Sequence, residues 1–439
     1  MDLDEILDEV GHFGKFQAVN YALVGFPILL SAAFALSYVF TAGDLEYRMS
    51  LPCRCRIPEC DGEEDSFCPN WLQDAVPFEG PDSQSRPVRC LRYTPRNIST
   101  PFDEECSSDM FDRNNNVRCQ EWVYNGEETT IVNEWNITCE ENEWKLTLVG
   151  TVNNVGQFIG FPLAGFFSDR LLPESVRWLL AMGKIKEARN VIMKAAKRNG
   201  VVLSSGALNK FEMTSLSEGK SESPEAEIKS AKEVLKQVLH SKILLLRVVN
   251  CSFCWVAITF VFFGLSLTSV SVGGNKFTNF ILVAIIELPA YIVFYFTMDR
   301  FGRKSTMSVS LILSGISCIT FAFVPTDLEW VRMLLFLMGK FSITISFTVV
   351  YVYTTEMFPT ELRNSLLGVC AMVGRIGSMI APQTPLLERY LQSLPLLLFG
   401  GMSILSGLFS LSFPETLNSK LPDTVKDAEN IGNKARRTR

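Results

Sequence analysis

The sequence predicts an all-α polytopic membrane protein of about eight transmembrane helices with one Cys-rich extracellular loop, and three observations predict it. The 439 residues are 47% hydrophobic and include 32 Phe but two His. Their apolar residues gather into eight runs of the length a bilayer-spanning helix needs, about 17–25 residues. Charge divides as unevenly: residues 44–143 hold 22 Asp and Glu against 9 Arg, a net of −13, so with the whole chain at −6 the remainder sums to +7. Basic residues accumulate on the cytoplasmic side of membrane proteins, which puts 44–143 outside. Eight of the 12 cysteines lie in that same acidic segment, as an oxidising compartment favours.

The elements follow in order. Residues 1–16 form a cytoplasmic N-terminus whose acidic start, MDLDEILDEV, runs against the orientation the other loops set. It lacks the basic n-region and cleavage site of a signal peptide, so the run 17–42 reads as an uncleaved anchor and first transmembrane helix. Residues 43–145 form the extracellular loop. Its cysteines, Cys53, Cys55, Cys60, Cys68, Cys90, Cys106, Cys119 and Cys139, read as four disulfides, and eight cysteines leave about 105 pairings open. With no His and no paired CxxC in the loop, a metal site is the weaker reading. Asn97-Ile98-Ser99 and Asn136-Ile137-Thr138 are glycosylation sequons there; Asn250-Cys251-Ser252 matches the same pattern but falls within a predicted helix.

The second transmembrane helix covers 146–167, where Asn153, Asn154 and Gln157 make a polar stripe expected to face protein. Residues 168–242 form a cytoplasmic linker. It holds an amphipathic helix starting near Pro173 and stopping at Gly200, with Trp178, Leu179 and Leu180 resting on the membrane or on neighbouring loops. The polar stretch 215–233 reads as disordered. Six further runs, 243–268, 277–298, 305–324, 331–354, 365–387 and 394–413, make a six-helix half over 243–413, in which Cys251 and Cys254 read as core packing. Residues 414–439 are a cytoplasmic tail.

Two short signals occur twice. Asp299-Arg300-Phe301-Gly302-Arg303-Lys304, between two predicted helices, resembles the signature loop of the major facilitator superfamily, whose fold repeats a six-helix half. Asp169-Arg170 is the matching start of a first copy. A Pro-Glu-Thr or Pro-Glu-Ser signal closes each copy, at Pro414 and at Pro173. Asp299 and Pro414 are 115 residues apart, whereas Asp169 and Pro173 are 4 apart, a shortfall of 111. Four helices of about 20 residues with short connections account for it. The chain therefore reads as a major facilitator-type helical bundle with an incomplete N-terminal half, lacking helices 3–6.

Several stretches narrow the resemblance. DEVGHFGKFQ, the large Cys-rich loop, CQEWVYNGEETTIVNEWNITC and PESVRWLLAMGKIKEARNVIMKAAKRNG are similar to the organic cation/carnitine transporter family. GKFSITISFTVVYVYTTEMFPTELRNSLLGVCAMVGRIGSMIAP resembles its carnitine and organic-anion branch. That resemblance implies alternating-access transport of small organic ions (carnitine-like zwitterions, organic anions or cations), with the site between the halves. It implies a gating loop comprising Asp169, Arg170, Asp299, Arg300, Gly302, Arg303, Glu356 and Arg363. It also implies the plasma membrane as location.

Ionisable residues at membrane depth are costly and so mark candidate sites. Glu287, Lys340 and Arg375 sit in mid-helix. Arg375 and Lys340 are expected to attract a substrate carboxylate, and Glu287 to offer a cation partner or coupling-ion site; buried ion pairing is the structural alternative. Family members that carry plain cations tend to have an acid at the position of Arg375, so a buried Arg fits a carboxylate-bearing substrate better. Trp255, Phe262, Phe263, Tyr351 and Tyr353 match the family's cavity aromatics, which suit an alkylammonium head.

Neither His12 nor His240 accompanies a nucleophile or a metal set, and no phosphate-binding loop or dinucleotide fingerprint occurs, so an enzyme is not expected. No cofactor is expected; a coupling ion, sodium or proton, is left open. Partners would be the small organic ion, the bilayer and a homo- or hetero-oligomer, with no nucleic acid. The alternative to a carrier is a truncated, non-transporting membrane glycoprotein. It would arise as a splice variant retained in the endoplasmic reticulum or as an incomplete gene model, and act as partner or modulator of a full-length carrier.

Overall fold

The computed structural model describes residues 14–43, 45, 47–49, 75–79, 86–88, 90–95, 111–118, 122–124, 128–171, 176, 179, 184–201, 236, 240–272, 274–325, 327–359, 362–391, 393–417, 419, 421–422 and 425–431. The chain divides into two compact units, Ser37–Val149 and the combination of Met1–Leu36 with Gly150–Arg439.

Ten helices carry the argument: α1 (Lys15–Thr41), α2 (Glu143–Leu171), α3 (Ile185–Asn199), α4 (Lys242–Thr268), α5 (Lys276–Ile285), α6 (Glu287–Phe301), α7 (Arg303–Phe323), α8 (Glu329–Met357), α9 (Arg363–Ile380) and α10 (Leu394–Ser410). Helix lies at each of the eight apolar runs. Among the described residues, five stretches are long and apolar enough to cross a membrane: Lys242–Ser271, Lys276–Phe301, Arg303–Phe323, Glu329–Met357 and Ser365–Glu388, with Leu394–Ser410 a shorter apolar helix.

Two departures from regular helix have a visible cause. The run expected over 277–298 breaks at Ile286 into α5 and α6. Pro289 has no N–H to donate to the Ile285 carbonyl, and its ring crowds that carbonyl. The break leaves Glu287 in the first turn of a new helix. The run expected over 365–387 leaves α-helix at Ile380 and continues as a 3-10 segment, Ala381–Arg389, which contains Pro382 and Pro385.

Small residues draw the six-helix half together, as lipid-embedded helices require when burial supplies little drive. Ser308 and Ser410 join α7 to α10 at 2.6 Å, Ser310 and Ser346 join α7 to α8 at 2.6 Å, and Ser403 donates to the Leu311 carbonyl at 2.8 Å. A Cβ on Gly315 would lie 2.8 Å from the Gly400 carbonyl oxygen, and one on Gly400 would lie 2.9 Å from that of Gly315. At the α4–α9 contact a Cβ on Gly377 would lie 2.2 Å from the Val256 carbonyl oxygen. The obstacle is backbone, so Gly377→Ala is expected to push the two helices apart. It should cost about 1–3 kcal/mol, read as a lowered thermal midpoint of the detergent-purified protein.

Outside the bundle, α3 ends where Gly200, at φ 74°, supplies the left-handed cap that the sequence predicts. Its start is Ile185; Pro173, where the helix was expected to begin, lies outside the described residues. Leu179, Ala188, Ile192, Ala195 and Ala196 bury one face of α3 against Phe16, so Leu179 rests on protein. Asn199 accepts from the Phe16 N–H at 2.9 Å and donates to Gln17 at 3.0 Å, which caps α1 from 183 residues away. Two of the three residues in the α2 stripe meet protein: Asn154 is buried, and Asn153 donates to the Phe34 carbonyl of α1 at 3.4 Å.

The Ser37–Val149 unit departs from the all-α expectation. Among its described residues are three antiparallel pairs: β1 (Tyr47–Met49) with β6 (Trp122–Tyr124), β2 (Phe78–Glu79) with β3 (Arg86–Pro87), and β4 (Leu91–Pro95) with β5 (Phe111–Arg118). Such short pairs need covalent and hydrophobic support. A disulfide joins Cys90 to Cys139, and Leu45, Val132 and Leu146 form a small core beside Trp122 and Ile137. Cys53, Cys55, Cys60, Cys68, Cys106, Cys119 and the sequon Asn97 lie outside the described residues. Asn136, at φ 50°, sits exposed in a turn whose left-handed geometry Asn tolerates.

Candidate functional site

Three of the expected residues meet at the level of the α5–α6 break. Lys340 on α8 is fully buried, and its ammonium lies 2.9 Å from the Glu287 carboxylate of α6. The same ammonium donates to Ser266 Oγ at 2.7 Å and to the Phe262 carbonyl at 3.4 Å, both on α4, and stands 3.4 Å from the centre of the Phe262 ring. A buried charge is tolerable when paired and hydrogen-bonded in this way.

From there an aromatic ladder descends α8. Phe262 stacks on Phe347 with centroids 4.6 Å apart, and Phe347 meets Tyr351 at 5.6 Å. Tyr351 is 39% exposed, so its ring is open on one side, and Arg375 on α9 lies within its electrostatic reach. Phe263 packs edge-on against Phe262 at 5.4 Å. Lys340, Thr344, Phe347 and Tyr351 recur at i, i+4, i+7 and i+11, one face of α8. Phe347 and Ser266 were not among the expected site residues, although that period was present to find Phe347.

Two expected aromatics are placed differently. Trp255 is buried, meets Tyr351 edge-on at 4.5 Å and donates to Thr354 Oγ1 at 3.0 Å; it backs the ladder from behind. Tyr353 is also buried and points away, its hydroxyl donating to the Pro414 carbonyl at 2.6 Å. Two residues along a helix turn a side chain about 200°, so Tyr351 and Tyr353 cannot share a face.

Four residues of the expected gating loop, Asp299, Gly302, Arg303 and Glu356, form a second cluster around the start of α7. Gly302, at φ 90°, turns the chain, and the Glu415 carboxylate accepts from the N–H groups of Arg303 at 3.0 Å and Lys304 at 3.2 Å. A carboxylate at a helix start meets both the unpaired N–H groups and the positive end of the dipole. Arg303 Nε lies 3.1 Å from Glu356 and its Nη1 3.5 Å from Asp299, while Thr416 donates to Glu356 at 2.5 Å. Arg300 is exposed and Arg363 opens α9. Asp169 and Arg170 fall in the last turn of α2, and their side chains are outside the described residues.

Residues 141–424 match the family described as sugar (and other) transporter. The chain is 26% identical to solute carrier family 22 member 21 of Mus musculus, over 98% of this chain and 94% of that one. It is 25% identical to organic cation/carnitine transporter 2 of Homo sapiens, over 100% and 96%, and 26% identical to organic anion transporter 3 of Homo sapiens, over 100% and 95%. The alignment with the carnitine transporter is 553 residues long, 114 more than the 439 of this chain. That excess agrees with the shortfall of 111 counted between the repeated signals. These relatives are membrane transporters and not enzymes, and they give no support to a non-transporting glycoprotein.

Proposed function

The chain belongs to the sugar (and other) transporter family of the major facilitator superfamily, and from that membership we propose that it moves a small carboxylate-bearing organic ion, a carnitine-like zwitterion or an organic anion, across the plasma membrane by alternating access. One observation carries the substrate class. Arg375 places a guanidinium in mid-helix on α9 within electrostatic reach of Tyr351, while the Glu287 carboxylate pairs with Lys340 at 2.9 Å. A guanidinium at that depth forks onto a carboxylate and repels a bare cation. The Phe347–Tyr351 face beside it suits a substrate ammonium through cation–π attraction, which contributes about 0.5–2 kcal/mol.

The reading includes eight membrane spans with the Cys-rich segment 43–145 outside, the six-helix half 243–413 carrying the site, and the linker 168–242 and tail 414–439 inside. A second subunit covers the face that helices 3–6 would occupy, and Glu287 is the place for a coupling sodium ion or proton. Arg375→Ala is expected to lower carnitine uptake at least tenfold while Arg375→Lys retains part of it, because a point charge keeps attraction but not the fork. Equal uptake by wild type and Arg375→Ala in cells with matched surface protein would refute the assignment.

A further inference from the structure

We infer that Thr151, Met379 and Gln383 form the outer gate of the pathway, an assignment that rests on the carrier reading above. The Thr151 hydroxyl on α2 donates to the Met379 carbonyl at 3.1 Å and accepts from Gln383 Nε2 at 2.8 Å. One hydroxyl thus uses its donor and an acceptor site to join the surviving part of the first half to the second. Three features make this clasp a gate.

The clasp and the Gly302–Glu415 cluster lie at opposite ends of α9: Met379 is one residue from its last turn's end, whereas Glu356 precedes its first residue, Arg363, by seven. The clasp also falls where α-helix gives way to the 3-10 segment Ala381–Arg389. Pro382 and Pro385 withhold N–H groups there, so the clasp sits on a helix end where the regular ladder already stops. Finally, Met379 follows Arg375 by four residues, about one turn along the same helix. A carboxylate that pulls on Arg375 therefore acts on the helix end that holds Thr151. Thr151 and Gln383 would bind no substrate themselves; they position the halves.

The test is the double variant Thr151→Cys/Gln383→Cys, treated with a short membrane-impermeant bis-maleimide applied outside, beside each single variant. Cys251, Cys254, Cys318 and Cys370 are buried to 1% exposure or less, which keeps their background low. Bridging is expected to lower labelled carnitine uptake at least tenfold relative to the treated single variants. Saturating carnitine should change the bridging rate roughly threefold, since it shifts the population of the closed state. A structural contact would show no ligand dependence. A bridged protein that still carries carnitine at the single-variant rate overturns the gate. If the untreated wild type takes up no carnitine, the carrier reading fails separately, and the gate then stands or falls on whether ligand alters the bridging rate.

Discussion

Lys340→Ala is expected to be the most damaging single substitution in the membrane half. It would leave the Glu287 carboxylate without its partner at 2.9 Å and Ser266 without its donor at 2.7 Å. Breaking one side of a buried ion pair costs about 3–5 kcal/mol, and with Glu287 26% exposed the lower end of that range is expected. The purified variant should lose most of its folded yield. Lys340→Met combined with Glu287→Gln removes both charges at similar volume and is expected to restore folding. Double-variant behaviour of this kind is the signature of two residues acting as one unit. If the pair were only structural, the double variant would also transport normally. It is expected not to, because the double variant removes the Glu287 carboxylate proposed to hold the coupling ion.

Glu415→Ala is expected to have the second largest effect, and on transport more than on folding. Its carboxylate accepts from the backbone N–H groups of Arg303, Lys304, Thr416 and Leu417. Hydrogen bonds to a charged group contribute about 1.5–3 kcal/mol each, so losing even one net bond shifts a two-state equilibrium by tenfold or more. The state that holds the α7 start against the segment after α10 would be depopulated, lowering maximal uptake. Gly302→Ala should act in the same direction, since its Cβ would stand 2.5 Å from the Glu415 carboxylate and its φ of 90° suits glycine. Both variants should fold, bind labelled carnitine and turn over slowly; unchanged maximal uptake in both would remove the cluster from the transport cycle.

Much of the bundle was legible in the sequence because bilayer thickness translates directly into run length. The interruptions were legible only in part. Pro289 marks the α5–α6 break, but a proline inside an apolar run is also compatible with a kinked continuous helix. The ionisable trio stood out because charge at membrane depth needs a reason, and two of its members proved to be each other's partner. What the sequence withheld was direction. Trp255, Tyr351 and Tyr353 look equivalent as aromatics, yet only the 3.6-residue period of α8 separates the face with Phe347 from the one that turns to Pro414. The bond from Glu415 to a helix start 112 residues earlier, and the Asn199 cap on α1, depend on tertiary approach that no local pattern encodes. The strand pairs between 47 and 124 escaped for a related reason: FDRNNNVR has no apolar alternation, and its pairing with Leu91–Pro95 is made beside the Cys90–Cys139 bridge.

The proposed selectivity separates a carboxylate-bearing ion from a bare cation. The most direct measurement reconstitutes the purified full chain in liposomes and compares uptake of labelled carnitine with that of labelled choline, which shares the quaternary ammonium and lacks the carboxylate. Saturable carnitine uptake that Arg375→Ala lowers at least tenfold is expected, with choline near the empty-liposome background. Choline carried as well as carnitine, or neither carried by folded protein, would contradict it.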